Sequence, residues 1–252
     1  MKNHTLWITA MLLCMAFISP EQKKKITVWL AGDSTIAIKE TKAYPETGWG
    51  MPFAYFFDSS VTVKNIAKNG RSTRTFISEK LWESISTNIQ EGDYVFIQFG
   101  HNDESKEKTD RYTSPEDYKA NLIKFISETR AKKGNPVLLT PVSRRKFKDT
   151  TQIPTHEVYS ALVREVAKEQ NVPMIDLDTK SMELYQKFGA ETSKLLFLQL
   201  KPGEHPNYPD GKEDNTHFNE LGARLIAQIV LQSIRDIKLE LADRIVVPKP
   251  KK

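Results

Sequence analysis

Short, continuous apolar runs recur along the chain and predict buried β-strands. Most of these runs lack the strict alternation of a strand with one wet face. They are typical of parallel strands that are covered on both faces. The five predicted strands are Ile26–Ala31, Val61–Ile66, Tyr94–Phe99, Val137–Thr140 and Pro173–Leu177.

Helical patterns lie between and after the predicted strands. The last long helix is predicted from about Asn219 to Lys238, because apolar positions recur there at helical spacing. The other predicted helices are Ser78–Ile89, Pro115–Lys132, Thr155–Gln170 and Asp178–Phe188. The face predicted to be buried in the last helix comprises Leu221, Leu225, Ile226, Ile229, Val230, Ser233, Ile234 and Ile237.

The alternation of strands and helices predicts βαβ units and a parallel sheet with helices on both sides. The expected fold is therefore α/β, a three-layer α/β/α sandwich around a five-stranded parallel sheet. Right-handed crossovers place the carboxyl ends of the strands along one edge, where ligand sites form. The 252 residues suit one globular domain, and no linker or internal repeat divides them.

The beginning of the chain differs from the rest. Lys2 and His4 precede an uncharged apolar run from Leu6 to Ile18. This pattern is typical of a secretory signal peptide, so residues 1–19 are predicted to be a signal peptide and residues 20–252 the folded domain. Cleavage is expected near Ala16, and an uncleaved anchor or a lipidated Cys14 are the alternatives. The mature protein is expected to be secreted or periplasmic, without integral membrane association.

Cysteine content and charge exclude some function classes. Cys14 is the only cysteine, so a chain cleaved after Ala16 has no disulfide, no cysteine-ligated metal and no catalytic thiol. The net charge is +5, but the lysines are scattered and no basic helix is interleaved with aromatic residues. Nucleic-acid binding is therefore poorly supported. The mild positive charge favours an anionic substrate such as a pectin. The sequence does not indicate an oligomeric state.

The first candidate catalytic residue follows the first predicted strand, in the sequence Ala31-Gly32-Asp33-Ser34-Thr35. Gly32 allows a sharp exit, and Ser34 then lies at the carboxyl edge of the sheet. Backbone N–H groups at such a position can face a developing oxyanion. A turn or a helix N-cap is the alternative explanation for a serine here.

The second and third strands lead to further polar segments. Gly70, in Asn69-Gly70-Arg71-Ser72, permits a positive φ and close approach of the backbone to a ligand. Ser72 is a competing nucleophile candidate that a helix cap also explains. Asn102, in Gly100-His101-Asn102-Asp103, has an amide that can donate to an oxyanion, although a turn residue is equally consistent. The spacing and isolation of His101 and Asp103 argue against metal ligation.

A carboxylate and a histidine stand three residues apart before the last helix, as Asp214 and His217. They can lie side by side if the segment makes a helical turn. Asp214 could then accept the Nδ1–H of His217 and leave Nε2 free as a general base. A turn aspartate and a surface histidine are the alternative.

Together these segments supply a nucleophile, a base, an orienting acid and extra oxyanion donors, which is a complete set for acyl transfer. Three of the segments are predicted on one edge of the sheet, and the fourth on the loop before the closing helix. The serine elbow G-x-S-x-G of α/β-hydrolases does not occur in the sequence.

These residues resemble the conserved blocks of the SGNH, or GDSL-like, hydrolase family. "GDST" at Gly32–Thr35 resembles the first block, which implies that Ser34 is both the nucleophile and, through its N–H, an oxyanion donor. Gly70 matches the second block and "GHND" at Gly100–Asp103 the third, which implies that Gly70 and Asn102 are further donors. "DNTH" at Asp214–His217 resembles the last block and implies the acid and base of a triad. The resemblance implies a flavodoxin-like fold, with no metal and no organic cofactor.

Three features are more specific: Thr35 instead of leucine, "NGRSTRTF" at residues 69–76, and "TPVSRRKF" at Thr140–Phe147. They resemble rhamnogalacturonan acetylesterases, which implies removal of acetyl groups from an acetylated pectic polysaccharide or oligosaccharide. One departure is Asn69, where such proteins often carry glycine. Other readings are an esterase for xylan, for another glycan or for a lipid or thioester, and a non-catalytic carbohydrate-binding protein.

Four arginines are candidates for contacting galacturonate, because guanidinium pairs well with carboxylate. Surface charge and structural ion pairs are the alternative explanation. The polar segment Phe197–Asp214 is more like the wall of an open cleft than an acyl-chain tunnel, which favours a carbohydrate. The four arginines are Arg71, Arg74, Arg144 and Arg145.

Overall fold

The computed structural model describes residues 23–247, and the predicted signal peptide lies outside this range. Five strands form one parallel sheet in the order β2-β1-β3-β4-β7. The strands are β1 (Ile26–Gly32), β2 (Val61–Asn65), β3 (Tyr94–Gln98), β4 (Asn135–Leu139), β5 (Phe147–Lys148), β6 (Thr151–Gln152), β7 (Met174–Ile175), β8 (Phe197–Leu200) and β9 (Lys212–Phe218).

Seven α-helices and several short 3-10 helices accompany these strands in the described part of the chain. The α-helices are α1 (Gly50–Phe53), α2 (Thr73–Ser78), α3 (Leu81–Ser86), α4 (Pro115–Ala131), α5 (Glu157–Glu169), α6 (Leu177–Phe188) and α7 (Glu220–Asp236). The 3-10 helices are Thr41–Ala43, Ala54–Phe56, Thr192–Leu196 and Glu240–Arg244. Within residues 23–247, no helix is both long enough and apolar enough to cross a bilayer.

Successive side chains of β1 point to opposite faces of the sheet and enter two separate cores. Val28 and Leu30 pack with side chains of α1, α6 and α7 on one face. Trp29 and Ala31 pack with side chains of α2 to α5 on the other face. The predicted three-layer α/β/α sandwich with a five-stranded parallel sheet is therefore confirmed, and its strand order is the flavodoxin-like one.

The observed elements differ from the predicted ones in three places, and local backbone conformation or position in the sheet explains two of them. The helix predicted over Ser78–Ile89 is observed only as the shorter α3, and α2 precedes it almost entirely outside the predicted range. Lys80, with a φ of 60°, separates the two helices. β2 alternates between half-buried and exposed residues because it lies at the edge of the sheet. In the last helical segment, Leu221 is 48% exposed and Ile237 is 37% exposed, so the buried face is shorter than predicted.

Two small antiparallel sheets lie outside the main sheet, formed by β5 with β6 and by β8 with β9. The second of these is important for the site because Asp214 and His217 lie on β9. Directly after β9, the side chain of Asn219 caps α7 by accepting from the N–H of Gly222. This cap fixes the junction between β9 and the long helix that covers the sheet.

Candidate active site

The serine candidate lies in the turn that follows β1. Gly32 is tightly enclosed, since a Cβ there would approach Ile36 Cδ1 to 2.3 Å and the carbonyl oxygen of Gln98 to 2.7 Å. Only glycine fits this exit from the strand without a shift of the surroundings. Ser34 follows two residues later and is mostly buried, with 8% of its surface exposed.

A buried chain of polar side chains supports this turn. Asp33 Oδ1 accepts from the N–H of Thr35 at 2.9 Å and from its hydroxyl at 2.7 Å. The Thr35 hydroxyl in turn accepts from Gln98 Nε2 at 2.7 Å, and Gln98 Oε1 accepts from Trp49 Nε1 at 2.9 Å. Burial raises the pKa of Asp33. Leucine in place of Thr35 would keep the backbone N–H bond to Asp33 but lose both hydroxyl bonds, the one to Asp33 Oδ1 and the one from Gln98 Nε2.

Ser34, His217 and Asp214 form a continuous hydrogen-bonded series. His217 Nε2 lies 2.9 Å from Ser34 Oγ, and His217 Nδ1 lies 2.8 Å from Asp214 Oδ2. With the Nδ1–H donated to the carboxylate, Nε2 is the free acceptor that can take the proton of a serine hydroxyl. The arrangement can therefore generate a nucleophilic serine oxygen.

The histidine and aspartate meet on β9 and not in a helical turn, which corrects the local geometry expected from their spacing. Asp214 Oδ1 accepts from the N–H of Thr216 at 2.7 Å and from that of His217 at 2.9 Å, which folds the carboxylate back onto the chain. Burial by itself would raise the pKa of Asp214, but the hydrogen bonds and charge of His217 and these two N–H groups lower it to about 2. The carboxylate is therefore ionised at neutral pH.

Gly70 and Asn102 follow β2 and β3, the two neighbours of β1, so they lie on either side of Ser34 at one edge of the sheet. Gly70 has a φ of +77°, which glycine adopts without strain. Asn102 Nδ2 donates to the carbonyl of Arg71 at 3.0 Å, which orients the amide. An amide nitrogen carries two N–H groups, and the second has no partner among residues 23–247, so it can donate to a ligand oxygen.

Asp103 ties the third loop to the second. Its Oδ1 accepts from the N–H of Thr73 at 2.8 Å and from the Thr73 hydroxyl at 2.6 Å. Its Oδ2 is buried without a hydrogen-bond partner among residues 23–247. Burial raises the pKa of Asp103 to about 7. This aspartate is therefore a structural link behind Asn102.

Ser72, the competing serine, is a helix cap. Its side chain accepts from the N–H of Thr75, and the Thr75 hydroxyl accepts from the N–H of Ser72, which together form a capping box at the start of α2. Ser72 is fully buried. This geometry favours the structural explanation for Ser72 over a nucleophilic one.

The four arginines predicted to contact substrate all have partners within the protein. Arg71 pairs with Glu79, and Arg74 donates to the carbonyl of Thr109. Arg144 Nη1 donates to the Thr216 hydroxyl at 2.6 Å, and Arg145 Nη1 donates to Asn215 Oδ1 at 2.8 Å. Arg144 and Arg145 thus hold both residues between Asp214 and His217. Contact of any of the four with substrate stays a prediction.

Sequence reasoning missed several side chains that support the site. Gln98 had a recognisable signal, because a glutamine inside an otherwise apolar strand needs a buried partner. Lys39 and Glu46 form a buried ion pair near Ser34, with Nζ and Oε1 2.6 Å apart. They had no such signal, because their contacts depend on how the loop after β1 folds.

The sequence was also compared with known proteins. A sequence model described as the GDSL-like Lipase/Acylhydrolase family matches residues 30–225, which include all five site residues described above. The chain belongs to this family. As a GDSL-like acylhydrolase, it is an enzyme that hydrolyses carboxylic esters, and the resemblance drawn from its motifs is confirmed.

Two relatives with named activities are similar to this chain over most of their length. The rhamnogalacturonan acetylesterase RhgT of Bacillus subtilis is 43% identical over 225 residues, which cover 89% of this chain and 96% of that protein. A rhamnogalacturonan acetylesterase of Emericella nidulans is 25% identical over 82% of this chain and 84% of its own.

Solved structures show the same fold at lower identity. A crystal structure of a Bacillus subtilis protein matches with a TM-score of 0.73 and 24% identity, covering 86% of this chain. The chain spans 58% of that protein, so it is the shorter of the two. An acetylxylan esterase from Geobacillus stearothermophilus matches with a TM-score of 0.59 and 16% identity, covering 86% of this chain and 96% of that one.

Proposed function

We propose that this acylhydrolase removes acetyl groups from rhamnogalacturonan, a pectic polymer. Rhamnogalacturonan is the substrate in the name of its Bacillus subtilis relative. The observation that carries the proposal is the hydrogen-bonded series Ser34–His217–Asp214 in a chain 43% identical to that relative. We further propose that the protein acts outside the cytoplasm, because residues 1–19 have the pattern of a signal peptide.

In the first half of the reaction, His217 Nε2 takes the proton of Ser34 as Oγ bonds to the acetyl carbonyl carbon. The N–H groups of Ser34 and Gly70 and the amide of Asn102 stabilise the oxyanion that forms. The tetrahedral intermediate then collapses, and the bond to the sugar oxygen breaks. That oxygen leaves with the proton carried on His217, and an acetyl group remains on Ser34.

In the second half, water replaces the sugar. His217 Nε2 takes a proton from the water, whose oxygen bonds to the acetyl carbon. Collapse of the second intermediate returns the proton of His217 to Ser34 Oγ and releases acetic acid, which loses its remaining proton to solvent and becomes acetate. Asp214 keeps His217 in the required tautomer and stabilises the imidazolium through both steps. These residues complete the cycle without any further group.

The surroundings of Ser34 support a polymeric sugar over a fatty acyl chain. Residues 201–211, between β8 and β9, are mostly exposed and polar. Asn207 donates to the carbonyls of Thr41 and Tyr44, and Tyr208 donates to that of Ala43, so this loop is fixed against the loop after β1. An open, polar border suits a hydrated chain better than an acyl tail.

The test is acetate release from acetylated rhamnogalacturonan, homogalacturonan and xylan. The wild-type protein is expected to act fastest on rhamnogalacturonan, and Ser34→Ala is expected to lose acetate release from every polymer. Ser72→Ala is the matched control, because it removes a neighbouring serine that caps a helix. Activity retained by Ser34→Ala would reject the nucleophile, whereas a preference for xylan would reject only the pectic substrate.

A further inference from the structure

Lys39 is a buried lysine in the loop after β1, with 2% of its side chain exposed. Its Nζ donates to the carbonyl oxygen of Ser34 at 2.5 Å and to Asn69 Oδ1 at 2.8 Å. It also pairs with Glu46 Oε1 at 2.6 Å. An ammonium group has three N–H donors, so these three acceptors use all of its hydrogen-bonding capacity.

Two of these acceptors belong to the segments that carry the backbone oxyanion donors. Ser34 supplies one N–H, and Asn69 directly precedes Gly70, which supplies the other. The carbonyl of Asn69 also accepts from Arg71 Nη1 at 2.7 Å. Because a peptide unit is planar, holding the carbonyl of Asn69 sets the direction of the Gly70 N–H. Lys39 then links this unit to Ser34 across the gap between the loops after β1 and β2.

Glu46 makes the buried ammonium tolerable. Burial lowers the pKa of Lys39, and the charge and hydrogen bond of Glu46 oppose that change. The carboxylate itself is only 14% exposed, so removing either partner would leave the other as an uncompensated buried charge. The ion pair therefore holds the Lys39 ammonium group, which donates three hydrogen bonds, in place between the loops after β1 and β2.

This contact also gives the asparagine at position 69 a structural role. Asn69 is not among the described residues with positive φ, so its backbone does not require glycine or asparagine. Its side-chain oxygen, in contrast, has a defined partner in Lys39. The residue is exposed otherwise, which leaves that hydrogen bond as its one specific side-chain contact with the rest of the described protein.

We propose that Lys39 is a positioning residue, which fixes the N–H groups of Ser34 and Gly70 relative to each other through Ser34 O and Asn69 Oδ1. The proposal rests on the proposed acyl-transfer role of Ser34. It assigns Lys39 no contact with substrate. Its effect is expected on the transition state, because the oxyanion donors act most strongly there.

The main variants are Lys39→Met with Glu46→Gln, which removes both charges of the pair together, and Asn69→Ala. Hydrolysis of p-nitrophenyl acetate is expected to lose about 10-fold to 100-fold in kcat for the first and about 3-fold to 10-fold for the second, because small displacements of catalytic groups carry such penalties. KM is expected to stay within about threefold of wild type, since only transition-state binding is lost.

Combining the two changes separates a positioning role from a general loss of structure. If both act through one hydrogen bond, adding Asn69→Ala to the charge-free pair lowers kcat by less than twofold further. Lys42→Met is the matched control, because Lys42 and Glu40 form an exposed ion pair in the same loop. The control is expected to keep the wild-type kcat.

Asn69→Ala keeps the test decisive if the buried pair cannot be replaced without unfolding. It changes an exposed side chain, so its Tm is expected to match that of wild type. Folded variants with kcat within twofold of wild type, or with a change in KM alone, would overturn the role of Lys39. A wild type that cleaves the aryl ester but not rhamnogalacturonan would overturn the proposed substrate and leave the result for Lys39 valid.

Discussion

Replacing Asp214 by asparagine preserves the shape of the side chain but reverses one hydrogen bond. In the wild-type protein, the Asp214 carboxylate accepts two backbone N–H groups through Oδ1 and the Nδ1–H of His217 through Oδ2. In Asp214→Asn the amide oxygen stays on the backbone donors, and the NH₂ group faces His217 Nδ1. The imidazole must then carry its proton on Nε2, where it donates to Ser34 Oγ and can no longer accept.

The size of the effect follows from this change of tautomer. Loss of the correct tautomer in an equivalent Ser-His-Asp arrangement costs about 10⁴ in kcat. That factor corresponds to about 5.4 kcal/mol of transition-state stabilisation. Because Asp214 does not touch the ester, KM for p-nitrophenyl acetate is expected to change little. Asp210→Asn, an exposed aspartate in the preceding loop, is the matched control.

Steady-state kinetics with p-nitrophenyl acetate measures this prediction. A kcat for Asp214→Asn within tenfold of wild type would refute the tautomer argument, provided the Asp210→Asn control is fully active. The pH dependence of stability gives a second check. The pKa of Asp214 lies near 2 in the folded protein, below its ordinary 3.8, so its stabilising contribution is present above about pH 4 and is lost as pH falls towards 2.

Three further changes test other parts of the site. Asn102→Ala removes one oxyanion donor and is expected to lower kcat for p-nitrophenyl acetate about 10²-fold to 10³-fold with little change in KM; a change in KM alone would contradict that role. Asp103 holds its proton up to about pH 7 in the folded protein, so the stability of the protein is expected to fall as pH rises from about 4 to 7. Asp103→Asn should flatten that part of a profile of Tm against pH; an unchanged slope would contradict a pKa of Asp103 raised by burial. Gln98→Leu leaves the indole N–H of Trp49 buried without its acceptor and should cost about 1–3 kcal/mol in urea unfolding; an unchanged free energy of unfolding would contradict the need for this hydrogen bond.

Much of the fold could be predicted because it depends on local pattern. β1 and β3 are apolar runs bounded by a glycine or a charged residue, and the structure places each end within one residue of the prediction. The helix predicted over Ser78–Ile89 is only α3, Leu81–Ser86, which begins after Lys80 because that residue adopts a positive φ. Lysine has no intrinsic preference for that conformation, so only the surrounding packing imposes it.

The residues of the site also fall into those that could be predicted from local sequence and those that depend on the fold. Ser34 and His217 could be found because they stand in short segments at predictable places, after β1 and before α7. The partners of Arg144 could not be found, because its contact with Thr216 joins residues 72 positions apart. The sequence indicated a charge suited to a carboxylate ligand, and the fold supplies the hydroxyl of Thr216 and the carboxylate of Glu104 as internal partners.

The distance along the chain between Ser34 and His217 has a consequence for biosynthesis. The two residues are 183 positions apart, so at about 5–20 residues per second roughly 10–40 s of translation separate them. A nascent chain that ends before β9 can contain all five strands of the main sheet and the nucleophile, but no base. Ester hydrolysis at Ser34 therefore cannot begin before β9, which carries Asp214 and His217, has been synthesised and has reached the sheet edge.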